Sequence, residues 1–354
     1  MKLIDVSGLG NSGKTAVTDL LREIDGVHAH HNSFEFNLLR LPDGILDLQQ
    51  ALCENWSPSR SDFSIKRFRK LCESLNGHYS GVLTNRFMLY TDEFLESLVL
   101  ESLFIDGWYD SLYEDRTRKD RFKSILKNIG LFDLVKKVYK LLISNNQISG
   151  HKTEVFLSDG NDFIIKAKAY LEKVLFTDLD NKNNSVVTNN AFEPFTPHTS
   201  IIYFDDAYSI VVDRDPRDIY ASIIKVDESF LPKFETNEGL FSKEYIQRLK
   251  EDMLGTADIW TFITRQRLYR EKMLFEKDHP RIVYVWYEDL VLNYEDTVKE
   301  ILSKLDIDPD LHTKKKQFFD PAQSAKNVGI WKKMKDSEEI KLIEKELKDY
   351  LYTI

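Results

Sequence analysis

Gly8-Leu9-Gly10-Asn11-Ser12-Gly13-Lys14-Thr15 is the stretch on which the reading of this chain turns. It satisfies the pattern G-x-x-x-x-G-K-[ST] in full. The residues before it, MKLIDVS, read as a short strand. Those after it, AVTDLLREI, place Val17, Leu20, Leu21 and Ile24 on one side of a helix. Strand, glycine turn and helix in that order open an α/β fold. The chemistry requires the same setting. Glycines let backbone N–H groups curl around an anion, and the helix N-terminus adds a partial positive charge. Lys14 brings a full charge to a terminal or bridging oxygen. Gly10, Asn11, Ser12, Gly13, Lys14 and Thr15 are therefore expected to hold a phosphate-like group. The pattern alone does not select one nucleotide.

Outward from this loop, GVHAHH (residues 26–31) reads as a second short strand. Over residues 45–150, Leu and Phe recur at three- and four-residue steps, as in FLESLVLESLF and ILKNIGLFDLVKKVYKLL, and this stretch is expected to be a helical insertion without strands. Strand-like runs return in TEVFLSD, SVVTNN, YSIVVDRD and RIVYVWYEDL. Helical patterns fall in DFIIKAKAYLEKVL, PRDIYASII, residues 243–276 and DSEEIKLIEKELKDYL. NKNN (residues 181–184) and the run at residues 314–316 read as loops. Strands alternating with helices imply a parallel sheet covered on both faces. The chain has 354 residues, and a single core stops growing at about 250–300. One α/β domain over residues 1–354, enlarged by the 45–150 insertion, accounts for the length.

Hydrophobic residues make up 42% and charged residues 30%, which excludes a mainly disordered chain. The formal charge of −9 argues against a general nucleic-acid binder, so any anionic ligand needs a local basic site. No apolar run approaches the ~20 residues of a membrane helix. MKLIDVSGLG carries no long apolar segment or small-residue cleavage site, so no secretory leader is expected. Cys53 and Cys72 cannot build a disulfide framework, and a cytoplasmic setting is expected.

A second anion site is legible in Tyr208-Ser209-Ile210-Val211-Val212-Asp213, an apolar strand ending in an acid, followed by Arg214-Asp215-Pro216-Arg217-Asp218-Ile219-Tyr220-Ala221-Ser222. In a nucleoside triphosphatase Asp213 would help to hold Mg²⁺. Asp215 suits an N-cap and Pro216 the first helical turn. Arg214 then stands at a strand end beside a helix N-terminus, and Arg214 and Ser222 can meet one anion.

VVDRDPRDIYAS resembles the 3′-phosphate motif of sulfotransferases that use 3′-phosphoadenosine 5′-phosphosulfate, in which an Arg and a Ser eight residues later hold that phosphate. GLGNSGKT resembles the same family's 5′-phosphosulfate loop. Val285-Trp286-Tyr287-Glu288-Asp289-Leu290-Val291 resembles its YEDL strand end. Ser324-Ala325-Lys326-Asn327-Val328-Gly329-Ile330-Trp331-Lys332 resembles the C-terminal loop that closes over the nucleotide. The resemblance covers about residues 1–35 and 185–335. It implies a P-loop NTPase-like sheet and a donor held by Gly10–Thr15, Arg214, Ser222, Lys326 and Asn327. The implied chemistry is sulfuryl transfer without a metal. Asp213 is then not a metal ligand.

The family resemblance also implies a general base near the transferred group, a Glu or a His. Glu35, a little after the second strand, matches the carbohydrate-type position best. His31 is second, and another residue remains open. Small-molecule members place a His after the strand corresponding to SVVTNN, where Asn189 and Asn190 stand and neither can act as a base. The expected partners are the nucleotide donor and an acceptor hydroxyl, with a carbohydrate as the leading choice. Lys66, Arg67, Arg69 and Lys70, or Arg116, Arg118 and Lys119, could line a basic groove for an anionic glycan. The alternative is a Mg-ATP-dependent kinase or NTPase. Oligomeric state is not legible.

Overall fold

Leu3, Ile4 and Val6 are fully buried, as expected of a strand covered on both faces. In the computed structural model, which describes residues 1–31, 34–106, 137, 152–180, 182–225 and 258–353, they lie on β1 (Lys2–Gly8). The other strands are β2 (Val27–Ala29), β3 (Glu101–Asp106), β4 (Lys152–Leu157), β5 (Ser185–Asn189), β6 (Ala207–Asp213) and β7 (Ile282–Trp286). The longer helices are α1 (Lys14–Leu21), α2 (Pro58–Tyr79), α3 (Phe87–Leu98), α4 (Phe163–Phe176), α5 (Pro216–Lys225), α6 (Ile259–Phe275), α7 (Tyr287–Leu292), α8 (Tyr294–Lys304) and α9 (Glu338–Glu346). The chain divides into two compact units, one of Met1–Leu41, Tyr79–Thr84 and Leu171–Ile354, the other of Pro42–His78 and Asn85–Tyr170.

The first unit holds a five-stranded sheet in the order β2-β5-β1-β6-β7, with every pairing parallel. Leu3 lies opposite Val186 on one side and Ala207 on the other. Val17, Leu20, Leu21 and Ile24, the helical stripe read from the sequence, pack against Ile4, Val6, Val187, Ile210 and Val212. Each such burial contributes about 1.5–3 kcal/mol. Asp5 interrupts the apolar run. Its carboxylate is fully buried and accepts from Thr188 Oγ1 (3.0 Å), Ala191 N (2.8 Å) and Phe192 N (3.1 Å). From β1 the chain turns to the β2–β5 side; from β6 it turns to β7. Neighbours whose connections diverge form a topological switch point, and the crevice at their carboxyl ends is where such sheets take ligands.

The second unit is mostly helical, and a stacked Phe94–Tyr170 pair, 4.7 Å between centroids, sits in its core beside Phe68. The sequence reading differs from it in two places. Residues 101–106, read as helix, form β3, while TEVFLSD forms β4, a strand as read. The two pair antiparallel as a separate two-stranded sheet, Glu101 opposite Leu157, rather than joining the parallel one. α3 stops at Leu98 because Val99 turns extended, with ψ 122°. Leu103 and Ile105 then alternate with exposed Ser102 and Phe104. That is a period of two, which the Leu and Phe of FLESLVLESLF conceal. In the first unit, YEDL does not end a strand: β7 stops at Trp286 and Tyr287 begins α7. The basic run on α2 is largely neutralised, with Lys66 on Asp62 (3.0 Å), Arg67 near Asp43 (3.6 Å) and Arg69 between Glu73 and Asp92. ILKNIGLFDLVKKVYKLL (save Lys137), Arg116, Arg118, Lys119 and residues 243–257 lie outside the described residues. No helix among the described residues is long and apolar enough to cross a membrane.

Candidate active site

The glycine loop begins where β1 ends and closes on α1. Gly13, the residue before the helix, has φ 92°, and a Cβ there would stand 2.3 Å from the Tyr287 ring, so only glycine fits. Ser12 N donates to the Leu9 carbonyl (3.2 Å) and Ala16 N to the Gly13 carbonyl (2.9 Å), which curls the loop. Lys14 Nζ is folded over it, donating to the carbonyls of Gly8 and Leu9 at 3.0 Å each. Burial lowers the Lys14 pKa from its ordinary value; the charge of Glu35 pushes it back, Arg40 lowers it further and Asp5 raises it. An ammonium so placed gains from any anion that enters.

Arg214, 6% exposed, follows β6. Its Nη1 donates to the Asn11 carbonyl (3.0 Å) and to Ser222 Oγ (3.1 Å), and its Nη2 to the Asn327 carbonyl (2.6 Å). One guanidinium thus joins the glycine loop, α5 and the C-terminal loop. Asn11, Ser12, Gly13, Lys14, Thr15, Arg214, Ser222 and Asn327 all line one cavity of about 640 Å³. Two buried polar groups in this cluster, Ser12 Oγ and Arg214 Nε, have no hydrogen-bond partner among the described residues. An oxyanion could satisfy both, so the donor set fits a phosphate-like ligand.

Apart from the Asp215 N-cap, the hydrogen bonds that support Arg214 are not legible in the sequence. Asp213 accepts from Arg214 N (2.7 Å), from Arg270 Nη2 (2.9 Å) and from the Tyr284 hydroxyl. Glu288 Oε1 accepts from Asp215 N (2.9 Å), and burial pushes this carboxyl up to about 7. Asp215 caps α5 by accepting from Arg217 N (2.8 Å). Asp218 holds the C-terminal loop through Gly329 N (2.7 Å) and Trp331 N (3.1 Å), and Trp331 stacks on Arg217 at 4.0 Å. Among the described residues no group of three or more His, Cys, Asp or Glu is arranged to hold a metal ion.

The remaining candidates lie outside the cavity lining. Gly10 and Lys326 are exposed. Glu35, its side chain 42% exposed, accepts from Asn190 Nδ2 and stands 3.8 Å from Arg40, which also bonds Glu193 at 3.2 Å. His31 is exposed, whereas neighbouring His30 is buried and its pKa is pushed down to about 4 by desolvation and by His28. The cavity also includes residues that sequence reasoning missed: Tyr287, Gln317, Phe318, Phe319 and Gln323. Only Tyr287 lay inside a noted motif.

No family model matches this chain, and no curated protein does. Solved structures give loose likenesses. A retinol dehydratase in complex with androsterone and the inactive cofactor PAP has 12% identity and TM-score 0.34, over 99% of this chain and 81% of that one. Sulfotransferase STF9 from Mycobacterium avium has 12% identity and TM-score 0.36, over 99% and 76%. The sulfotransferase domain from the curacin biosynthetic pathway has 13% identity and TM-score 0.35, over 99% of each chain. Likenesses this loose fix neither family nor activity.

Proposed function

We propose that this chain is a sulfotransferase with a P-loop NTPase-like sheet, moving a sulfuryl group from 3′-phosphoadenosine 5′-phosphosulfate to an acceptor hydroxyl on a carbohydrate, in the cytoplasm. The observation that carries the reading is the 3.1 Å bond between Arg214 and Ser222 on the same cavity as the glycine loop. Two anion-holding groups, far apart in sequence, face one space at the switch point. The donor, when bound, supplies an activated sulfuryl group on a phosphate oxygen. The chain's own work is positioning and charge stabilisation. Backbone N–H groups of the 10–15 loop hold the 5′-phosphate, and Lys14 swings from the Gly8 and Leu9 carbonyls to neutralise charge on the leaving oxygen. Arg214 and Ser222 hold the 3′-phosphate, and Asn327 with Lys326 closes the same end. Glu35, oriented by Asn190 and within the electrostatic reach of Lys14, takes the acceptor proton. His31 is the second choice for that role.

The Mg-ATP alternative needs an acid free to help hold the metal at the end of β6, and the oxygens of Asp213 are committed to Arg270, Tyr284 and Arg214 N. Calorimetry separates the two readings. The sulfotransferase reading expects binding of 3′-phosphoadenosine 5′-phosphate (PAP) that is tight and unchanged by chelator. Preference for ATP that disappears with chelator would overturn it.

A further inference from the structure

Glu23 stands just past the last turn of α1, and its side chain reaches no solvent. Its carboxylate accepts from the backbone N–H groups of Lys316 (3.0 Å), Phe318 (2.9 Å) and Phe319 (2.9 Å), and pairs with His312 Nε2 at 2.8 Å. The main chain reinforces this: Lys314 N donates to the Glu23 carbonyl (3.2 Å) and Asp25 N to the Leu311 carbonyl (2.8 Å). A buried carboxylate is tolerated only when its lone pairs are filled, and here one acid fixes a turn that has no regular secondary structure of its own. That turn walls the cavity of Lys14 and Arg214. α1 therefore serves the cavity twice, its N-terminus presenting the glycine loop and the residues after its C-terminus holding the wall.

The wall differs in chemistry from the rest of the site. The Lys316 ammonium leans away toward Glu295 at 3.4 Å and lies over the Tyr294 ring. Asp320 caps the following turn through Ala322 N at 2.9 Å. Phe319 is buried in the core against Tyr294, so the turn presents the Phe318 ring and the amides of Gln317 and Gln323. Phe318 stays 53% exposed on a cavity-lining turn. Rings and amides suit an uncharged heteroaromatic base, for which a flat apolar face gives stacking and amides give hydrogen bonds.

We infer that Glu23 is a positioning residue for ligand recognition: it holds the 316–320 turn as the wall for the nucleoside part of the ligand, with Phe318 as the contact face. This rests on the nucleotide reading above. The test uses the full chain and two probes, inorganic pyrophosphate and PAP, titrated calorimetrically into wild type, Glu23→Gln and Phe318→Ala. Both variants should weaken PAP at least tenfold and leave pyrophosphate within twofold, and Glu23→Gln should speed hydrogen exchange at the 312–319 amides. Phe318→Ala alters a half-exposed side chain and decides the matter if Glu23→Gln fails to fold. PAP bound equally by wild type and the variants overturns the inference alone, as does a parallel loss of both probes in Phe318→Ala. Wild type that binds pyrophosphate but not PAP removes the nucleotide reading, and the inference with it.

Discussion

Arg270 Nη2 lies 2.9 Å from Asp213 Oδ1, with side-chain exposures of 1% and 0%. The same guanidinium donates to the Arg214 carbonyl at 2.6 Å. A helix contributed by α6 thus fixes the backbone from which Arg214 reaches the cavity, and Asp213 is held by Arg270 and Tyr284. Removing one partner of a buried pair strands a charge and costs about 3–5 kcal/mol. Arg270→Leu should therefore lower unfolding stability by about that amount in urea titrations. A loss under about 1 kcal/mol would mean the pair does not fix this strand end.

Arg214 makes its strongest contacts to three separate segments, so its replacement should act on binding more than on chemistry. A charged hydrogen bond contributes about 1.5–3 kcal/mol. Arg214→Ala should weaken PAP by that amount and change the affinity for adenosine 5′-phosphosulfate, which lacks the 3′-phosphate, much less. Equal loss for both ligands would leave Arg214 as a staple between loops and nothing more.

Lys14 caps two carbonyls that water can also reach once the side chain is shortened. Lys14→Ala should keep the melting temperature within a few degrees while sulfuryl transfer falls about a hundred- to a thousandfold, the scale on which removing one electrostatic stabiliser operates. Turnover within tenfold of wild type would take Lys14 out of the mechanism.

The glycine loop was legible because its chemistry is local: eight consecutive residues, a strand before and a helix after. Arg214 and Ser222 were legible for the same reason, eight positions apart on a strand-to-helix turn. Glu23 was not, since its partners lie 271 to 296 positions away. Its one signal is position: just past α1, it stands between Leu20 and Ile24, two residues of the apolar stripe, where a solvated glutamate does not belong. Arg270 carries no comparable mark, because α6 is apolar on more than one side. The β3–β4 pair was missed because strand pairing is a non-local property that neither segment states alone, and leucine and phenylalanine serve either period.

Asp5 offers a test of the sheet's interior by pH. Burial raises its carboxyl from 3.8 to about 7, against the pull of Ala191 N, Phe192 N, Thr188 and the Arg40 charge. A folded-state pKa above the unfolded one gives a contribution that is complete below pH ~4 and lost as pH rises through about 7. At about 1.36 kcal/mol per pKa unit, the loss is on the order of 4 kcal/mol at most. His28 and His30, whose pKa values burial lowers, act in the opposite direction between pH 4 and 6.5, so the wild-type profile mixes signs. The difference between Asp5→Asn and wild type isolates Asp5. Relative to wild type, the variant should gain stability steadily between pH 4.5 and 8 in urea titrations, because asparagine has no proton to lose. A difference that stays flat across that range would show that Asp5 is already ionised in the folded chain at acid pH, held so by its three donors.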